Sequence, residues 1–201
     1  MVRPLQCELV SLSLFFAVPA AGNLLINPGF ESPVIANPNN FLEFSAGHDI
    51  GGSTVISKSA NTTNIVLLLN NSYSEVSGTL LFTAQSGQQN LDLTGPNNLG
   101  DNGVQQTVAT VPGQSYSLSF YVGNQDNRQS NYPLNSSVEL DVNGAFVANP
   151  TVSATTANNV SWQQFTYGFT ELATATTPEP GSLILMLTVA VLALLWHFRR
   201  A

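Results

Sequence analysis

Cysteine and histidine are almost absent from this sequence. Cys7 is the only cysteine among 201 residues, and His48, beside Asp49, is the one histidine between the two chain ends. One thiol cannot form an intramolecular disulfide, and one histidine cannot build a zinc site or a catalytic triad by itself. These scarcities exclude a disulfide framework and argue against metal or triad chemistry in the central part of the chain.

Basic residues are also scarce. Between the chain ends only Lys58 and Arg128 are basic, whereas eleven acids lie between Glu31 and Glu179. Nucleic-acid binding depends on clustered Lys and Arg side chains that neutralise phosphates. We therefore predict that the protein has no nucleic-acid partner. A cysteine-free body rich in Asn, Thr, Ser and Gly is typical of an exported bacterial protein.

Helical periodicity is the third absence. From 23 to 170 the chain consists of short β-branched and aromatic runs separated by Gly, Pro and Asn, which predicts one all-β domain. Alternating apolar residues identify strands at Tyr116–Val122, Val138–Val142 and Phe165–Phe169, and Asn143-Gly144 predicts a hairpin turn. Further candidate strands are Val55-Ile56, Ile65–Leu69, Leu80–Phe82, Leu91–Leu93 and Val104–Val108. So many short strands predict an antiparallel β-sandwich or jelly roll.

One candidate strand, Ile65–Leu69, is apolar without alternation. This pattern favours a central strand that is covered on both faces. An edge strand with an exposed apolar patch is the alternative.

The first 22 residues are typical of a signal peptide. Arg3 precedes an apolar stretch from Leu9 to Val18, and the small residues Ala20, Ala21 and Gly22 follow it. A positive charge, an apolar run and small residues in this order are the pattern of a signal peptide. We predict cleavage near Ala21 and export of the body, and retention as an uncut membrane anchor is the alternative.

The end of the chain forms another separate segment. After a linker at 171–177, Pro178-Glu179-Pro180 interrupts the chain, residues 182–198 are almost wholly apolar, and Arg199-Arg200 follow. An apolar helix of that length spans about 26 Å, close to the roughly 30 Å hydrocarbon thickness of a bilayer. Because paired arginines stay on the cytoplasmic side, we predict a transmembrane helix at 182–198 that holds the body outside the cytoplasm.

A Pro-Glu-Pro triplet, an apolar helix and a basic terminus together resemble the PEP-CTERM sorting tail of Gram-negative bacteria, here at 178–201. The resemblance implies that Pro178, Glu179 and Pro180 are recognised by exosortase, a membrane protease-transpeptidase. It implies that Arg199-Arg200 stop the anchor at the inner membrane, with the body on the periplasmic side. The processed body is then expected at the cell surface or in the extracellular matrix, beside the exopolysaccharide.

Two stretches of the body resemble galactose-binding-like jelly rolls of carbohydrate-binding modules. Asn23–Glu31 resembles their opening strand and Gln88–Phe120 their middle strands. In that family an acid of the opening strand helps to hold a structural calcium ion, which implies Glu31 as a ligand. A turn-capping carboxylate is the alternative, and no other cofactor is predicted. The family's acidic last strand is missing, so we predict an incomplete jelly roll whose open edge invites association.

The most polar loop of the body contains Asp126, Arg128, Asn131 and Tyr132. Sugar binding needs planar hydrogen-bonding groups beside an aromatic face, and the loop has both in its composition. The loop is therefore a candidate carbohydrate-binding site, and a solvated connection between strands is the alternative. We interpret Trp162 as a core residue rather than a sugar platform.

No catalytic constellation is evident in the sequence. Glu139 and Asp141 lie two apart on one predicted strand, which resembles the carboxylate pair of glycoside hydrolases but fits a solvated strand face better. We therefore predict a non-enzymatic, exosortase-sorted surface or matrix protein, with no catalytic residues, that binds polysaccharide through its jelly roll. A self-associating structural protein without specific sugar binding is the alternative.

Overall fold

The structure, a computed structural model, describes residues 22–36, 40–58, 62–63, 65–75, 80–96, 101–125, 135–155, 158–171 and 181–188. Every regular element in these ranges is a β-strand, which confirms the predicted all-β class. The strands are β1 (Phe41–Phe44), β2 (Asp49–Ile50), β3 (Ser53–Ser57), β4 (Val66–Asn70), β5 (Ser74–Glu75), β6 (Leu80–Leu81), β7 (Gln89–Asp92), β8 (Asn102–Thr110), β9 (Ser115–Gln125), β10 (Asn135–Ser137), β11 (Glu139–Val142), β12 (Ala145–Ala148), β13 (Thr151–Ser153), β14 (Val160–Thr170) and β15 (Gly181–Thr188).

The described strands form two main sheets and several strand pairs. The larger sheet has six strands in the order β12-β11-β15-β8-β3-β2, and the smaller has three in the order β1-β4-β7. A long antiparallel ribbon is formed by β9 and β14, and the short pairs are β10 with β13 and β5 with β6. The three-stranded sheet and the ribbon pack on the six-stranded sheet through shared core clusters. This arrangement is compatible with a β-sandwich.

The first core cluster joins the two main sheets. Val66 and Leu68 of β4 pack with Val55 of β3 and Val104 of β8, and each of the four side chains is at most 5% exposed. The alternate residues of β4 are buried as well, and β4 lies between β1 and β7. The prediction of a central strand covered on both faces at Ile65–Leu69 is therefore confirmed.

The β9–β14 ribbon covers another part of the six-stranded sheet. Leu118 of β9 packs with Leu140 of β11 in a second core cluster. On the same face of the ribbon the rings of Tyr116 and Phe169 stack, with centroids 6.1 Å apart, and Phe120 contacts two further rings. These alternating apolar positions are the ones that predicted the two strands, so both strand predictions are confirmed.

The predicted hairpin turn connects β11 to β12. Asn143 has a φ of 54° and Gly144 a φ of 74°, and a two-residue hairpin turn of type I′ requires positive φ at both central positions. Asn and Gly tolerate this region better than other residues do. The turn brings β12 back along β11, where Leu140 pairs with Ala148.

The opening segment, residues 23–36, contains no strand, so the predicted opening strand at Asn23–Glu31 is wrong. Amide side chains hold this segment in place of a β-ladder. Gln106 of β8 accepts a hydrogen bond from the Ile26 N–H at 2.7 Å and donates one to the Ile26 carbonyl at 3.0 Å. Gln89 of β7 accepts a hydrogen bond from the Ile35 N–H at 2.8 Å and donates one to the Phe30 carbonyl at 2.7 Å. Since each side chain satisfies isolated backbone groups, the segment needs no ladder partner.

The apolar tail begins as a strand and not as a helix. β15 lies in the six-stranded sheet between β8 and β11 and is antiparallel to both. The predicted transmembrane helix at 182–198 is therefore wrong over 182–188, and the remainder of that segment lies outside the described residues. An apolar run without alternation fits a strand with neighbours on both sides as well as a helix, so its pattern does not separate the two.

β15 also changes the expected end of the fold, because it adds a strand after β14, where the sequence predicts none. Among the described residues, no helix is both long enough and apolar enough to cross a membrane. The predicted signal peptide at 1–22 lies outside the described residues except for Gly22, and the predicted linker at 171–177 does so except for Glu171.

Candidate active site

A row of two carboxyl groups and a leucine crosses the outer face of the three-stranded sheet. Glu43 of β1 is opposite Leu67 of β4, and Leu67 is opposite Asp92 of β7. Residues opposite one another in antiparallel strands project from the same face. Because neighbouring strands are about 4.8 Å apart, Glu43 and Asp92 start from backbone positions roughly 10 Å apart. This face points away from the core cluster that contains Val66 and Leu68.

Aromatic side chains form a wall over this face. Tyr73, between β4 and β5, packs edge to face against Phe41 of β1, with ring centroids 5.6 Å apart, and against Phe82, with centroids 5.3 Å apart. The amide of Asn90 in β7 donates a hydrogen bond to the Phe82 carbonyl at 2.7 Å. The wall is therefore attached to the sheet at both ends, through β1 and through β7.

A cavity of about 200 Å³ lies beside this wall. We call it the acidic cavity, and its described lining is Phe41, Glu43, Leu67, Tyr73, Glu75, Gly95 and Pro96. The Tyr73 hydroxyl donates a hydrogen bond to the Glu75 carboxylate at 3.0 Å. The cavity thus combines aromatic walls with two carboxylates, one of which is held in place by a phenol.

Asp92 does not itself line the acidic cavity but is the cross-strand partner of Leu67, which does. The Asp92 carboxylate accepts hydrogen bonds from the Thr94 N–H at 2.8 Å and from the Thr94 hydroxyl at 2.6 Å. Burial raises the pKa of Asp92 above its usual range, the bonds from Thr94 and Gly95 partly oppose the rise, and the charge of Glu75 adds to it. A carboxyl group that keeps its proton to higher pH than usual is suited to general acid catalysis.

The residues around the acidic cavity were missed by the sequence analysis. For Glu43 and Asp92 a signal exists, because each is a single acid between two apolar residues of a strand. Such an acid projects from the face opposite its neighbours. The sequence contains no comparable signal for Glu75, whose place depends on the packing of Tyr73 against the wall.

The carboxylate pair that was singled out in the sequence lies on the six-stranded sheet and has a cation. Lys58, directly after β3, forms an ion pair with Glu139 of β11, and its Nζ lies 3.7 Å from the Asp141 carboxylate. The hydrogen bond with Glu139 raises the pKa of Lys58, although burial opposes the rise. Asp141 is 7% exposed, so the interpretation of this strand face as solvated is wrong for Asp141. Lys58 compensates the charge of both carboxylates.

Glu31 caps a turn. Its carboxylate accepts hydrogen bonds from the N–H groups of Gln88 at 2.9 Å and Gln89 at 3.1 Å. Calcium needs six to eight oxygen ligands, and no group of three or more His, Cys, Asp or Glu side chains suited to a metal ion occurs among the described residues. The described surroundings of Glu31 therefore do not form a calcium site by themselves, and calcium binding stays a prediction.

Most of the other predicted site residues lie outside the described residues. They are the polar-loop residues Asp126, Arg128, Asn131 and Tyr132, the triplet Pro178, Glu179 and Pro180, and the terminal Arg199 and Arg200. Trp162 of β14 is described and half-buried, and its indole N–H donates a hydrogen bond to the Thr83 carbonyl at 3.0 Å. The interpretation of Trp162 as a core residue rather than a sugar platform stays a prediction.

Comparison with protein families gives one match over most of the chain. A family model described as HpiC1-like, HpiC1 cyclase, matches residues 23–184. The match includes Asp92 and every described residue that lines the acidic cavity. No curated protein sequence matches this chain.

The solved structures that match include cyclases of Fischerella sp. TAU. The Stig cyclase Fisc in complex with (3Z)-3-(1-methyl-2-pyrrolidinylidene)-3H-indole is 16% identical, has a TM-score of 0.52, and is matched over 81% of this chain and 85% of that chain. A cyclase in complex with 4-(1H-indol-3-yl)butan-2-one is also 16% identical, with a TM-score of 0.53 and coverage of 84% and 89%. At this identity, the likeness shows a shared fold.

These matches correct the two family resemblances drawn from the sequence. The family model runs through Pro178-Glu179-Pro180 into β15, so the resemblance of the tail to PEP-CTERM proteins is wrong. The resemblance of the body to galactose-binding-like carbohydrate modules is wrong as well, since the matching family and structures are cyclases. Alternating strands and turn residues recur in unrelated all-β families, so they do not separate one family from another.

The predicted function and partners are corrected by the same findings. The prediction of a non-enzymatic polysaccharide-binding protein is wrong, because the family is one of cyclases. Exosortase, the inner membrane and exopolysaccharide are wrong as predicted partners, since they followed from the two rejected resemblances. Two of the similar cyclases were solved in complex with small molecules.

Proposed function

Because the chain belongs to the HpiC1-like cyclase family, we propose that it is an enzyme that closes a ring within a small unsaturated molecule. Asp92 is the observation that carries the proposal. It is a carboxyl group with a raised pKa, located beside a cavity with aromatic walls. Ring closure onto an aromatic system can start with a proton, and such a carboxyl group can supply it.

We propose that the substrate contains an indole ring. Two of the similar cyclases were solved with molecules that contain an indole or a 3H-indole ring. In this chain, Phe41 and Tyr73 line the acidic cavity with aromatic surface, which packs well on a flat aromatic ring. An engineered cavity of about 150 Å³ binds benzene, so the acidic cavity, at about 200 Å³, has room for a somewhat larger ring system.

The reaction begins with proton transfer from Asp92 to an unsaturated carbon of the substrate side chain. The π electrons of that double bond form the new C–H bond, and the neighbouring carbon becomes cationic. The π electrons of the indole then attack this carbon, and the new C–C bond closes the ring. Loss of a proton from the indole to the Asp92 carboxylate restores the aromatic system. No atom is gained or lost, so the product is an isomer of the substrate.

The residues around Asp92 support each step. The Thr94 hydroxyl and N–H hold the Asp92 carboxyl group on the outer face of the sheet. They also stabilise the carboxylate that is left after proton transfer, because hydrogen bonds to an ionised group favour it. Phe41 and Tyr73 line one side of the cavity, where they exclude water and orient the ring by packing.

The first experiment offers the protein a series of indoles that carry an unsaturated side chain at carbon 3, in deuterium oxide. We expect an isomer that contains one carbon-bound deuterium from the solvent. It is identified by mass spectrometry and chromatographic retention after the exchangeable N–D has been returned to N–H in water. Removal of a general acid typically lowers the rate by a factor of about 100 to 10,000, so we expect a loss in this range for Asp92→Asn.

The control for this experiment is Asp49→Asn, which removes one carboxylate from the edge of the six-stranded sheet. We expect its rate to equal that of the unmodified protein, because Asp49 caps the N–H of Gly52 in a turn. An unchanged rate in Asp92→Asn would remove Asp92 from the reaction. Absence of any isomer across the whole series would overturn the proposed indole cyclisation.

Two further predictions from the sequence are kept as proposals. We propose that residues 1–22 act as a signal peptide and that the body works outside the cytoplasm, supported by the charge and apolar pattern of that segment. We also propose that the two layers form a jelly roll. N-terminal sequencing of the protein from its native cells, with a start near Gly22 expected, tests the first, and an experimental structure tests the second.

A further inference from the structure

The dipeptide Asn-Gly occurs twice in this chain, and the fold places the two copies in opposite environments. They are Asn102-Gly103, in β8, and Asn143-Gly144, in the turn between β11 and β12. Asparagine is a thermolabile residue. A glycine after it has no Cβ to obstruct the approach of its backbone nitrogen to the asparagine side chain. Any difference in reactivity between the two copies therefore comes mainly from the structure around them.

The copy in β8 is locked in the interior. Asn102 is 0% exposed, and its amide donates a hydrogen bond to the Ile65 carbonyl at 3.1 Å. The Ser57 hydroxyl donates a hydrogen bond to the Asn102 Oδ1 at 3.1 Å. Gly103 is buried as well, and it is paired with β3 on one side and with β15 on the other. Water therefore reaches this copy only when the six-stranded sheet opens.

The copy in the turn is open to solvent. Asn143 and Gly144 are both exposed. Apart from the two chain neighbours of Gly144, no described residue has an atom within 4 Å of the position that a Cβ of Gly144 would take. Val142 pairs with Ala145 across the turn, so the ladder ends before the two central residues. Water and hydroxide therefore reach the backbone nitrogen of Gly144.

The hairpin can also open at this end without loss of the core. Among the described strands, β12 is the end strand of the six-stranded sheet, and its first three residues are exposed. Phe146 is 65% exposed and Val147 41%. An element with few buried contacts opens locally far more often than the whole protein unfolds. Such opening lets the Asn143 side chain turn toward the Gly144 nitrogen, a rotation that the closed turn restricts.

We propose that Asn143-Gly144 is a modification site, at which Asn143 loses ammonia and becomes an aspartyl or isoaspartyl residue while Asn102 stays intact. The backbone nitrogen of Gly144, after loss of its proton, attacks the amide carbon of Asn143. A new C–N bond forms, the bond from this carbon to the side-chain nitrogen breaks, and that nitrogen leaves as ammonia with the proton from Gly144. Water, the co-reactant, then opens the resulting cyclic imide at either of its carbonyl groups.

The modification changes the hairpin in two ways. Each product carries a carboxylate where asparagine is neutral, in a chain whose formal net charge is already −7. The isoaspartyl product also carries the main chain through the former side chain, which lengthens the turn by a carbon atom. The turn type fixes the register of a hairpin, so we expect β12 to lose its pairing with β11. This inference goes beyond the proposed function, whose residues lie on the three-stranded sheet.

The test follows both dipeptides in the full chain during incubation in mildly alkaline buffer. Samples are digested with pepsin in acid, where the attack by a deprotonated nitrogen stops. Mass spectrometry then measures, at positions 143 and 102, the gain in mass when NH₂ is replaced by OH. In the folded protein we expect position 143 to be modified at least about tenfold faster than position 102, because only the turn opens locally. In concentrated urea, where the sheet is unfolded, we expect similar rates at the two positions.

Asn143→Gly is the matched control, because Gly-Gly also suits a type I′ turn and has no side-chain amide. We expect this variant to show no gain in mass at the turn, and circular dichroism confirms that it is folded. On ion exchange, the incubated unmodified protein should divide into species of increasing negative charge, and the variant should not. Equal rates at the two positions in the folded protein would overturn the inference. So would a ratio of rates that is the same in buffer and in urea, since the fold would then have no effect.

Discussion

In the described part of this β-protein, two groups of carboxyl side chains are held in opposite ways. On the six-stranded sheet, Glu139 and Asp141 contact the ammonium group of Lys58. Beside the acidic cavity, Asp92 has Glu75 as a charged neighbour and takes its hydrogen bonds from Thr94 and the backbone. The first group faces a cation, whereas in the second group burial and the charge of Glu75 raise the pKa of Asp92.

The difference separates a structural role from a chemical one. A carboxylate that faces a lysine is favoured in its ionised form and gives up its proton readily. A buried carboxyl group beside another acid keeps its proton longer and can transfer it to a bound molecule. Lys58 is the only lysine or arginine in the described part of the chain, and it contacts Glu139 and Asp141. Within those residues, Asp92 therefore has no cationic partner.

The largest effect on stability is expected from Lys58→Met, which removes the cation that faces Glu139 and Asp141. Loss of one partner of a buried ion pair costs about 3–5 kcal/mol. The Lys58 side chain is 47% exposed, so solvent screening reduces the cost, and we expect a loss of about 2 kcal/mol in the free energy of unfolding. Urea unfolding measures this loss. Turnover per folded molecule should not change.

Lys58→Arg is the matched control for this change. It keeps a cation opposite Glu139 and Asp141, and we expect most of the stability to return. If Lys58→Met is as stable as the unmodified protein, the contact with the two carboxylates contributes nothing measurable. If turnover falls as well, the two groups are coupled and the separation of roles is wrong.

The fold was predictable where alternation and turn residues repeat over short distances. Tyr116–Val122, Phe165–Phe169 and the Asn143-Gly144 turn carry period-2 or positive-φ signals that depend only on local sequence. The tail was not predictable in this way. Its apolar run has no alternation, and whether it forms a strand depends on the position between β8 and β11, a property of the assembled sheet.

The candidate site was less predictable than the fold. Asp92 and Glu43 were visible as acids inside apolar strands, but nothing local indicates that β1, β4 and β7 bring them into one row. The carboxylate pair of Glu139 and Asp141 lies on one strand, and its side chains can carry the same negative charge as Asp92. What distinguishes it from Asp92 is the approach of Lys58 from a distant strand.

A smaller effect is expected in the pH dependence of stability, which tests whether folding raises the pKa of Asp92. The pKa of Asp92 is raised in the folded protein. Its contribution to the free energy of unfolding is therefore complete at a pH below its unfolded-state pKa of about 3.9, and is lost as pH rises through its folded-state pKa. The amide that replaces the carboxyl group in Asp92→Asn does not titrate. We therefore expect the variant to gain stability relative to the unmodified protein as pH rises from about 3 to about 8.

Urea unfolding of both proteins at each pH measures this difference, and all other titrating groups are common to the two. A constant difference across the range would show that Asp92 loses its proton equally in the folded and unfolded states. A difference that changes in the opposite direction would mean that the folded protein favours the ionised form, as expected beside a cation. Asp92 would then resemble the group around Lys58, and the comparison would fail.

The smallest effect is expected from Thr94→Val, which alters how Asp92 is held without removing it. The Thr94 hydroxyl stabilises the ionised form of Asp92, so its loss raises the pKa of Asp92 further. The alkaline limb of the pH–rate profile should move to higher pH, and turnover should fall by less than about tenfold, since one such hydrogen bond contributes about 1 kcal/mol.

Thr94→Ser should keep the pH–rate profile of the unmodified protein. Thr170→Val removes an exposed hydroxyl from the ribbon and should not move the profile. A shift of the limb to lower pH would mean that Thr94 favours the protonated form of Asp92. The hydrogen bonds from Thr94 would then not oppose the rise in the pKa of Asp92, as the comparison of the two carboxyl groups requires.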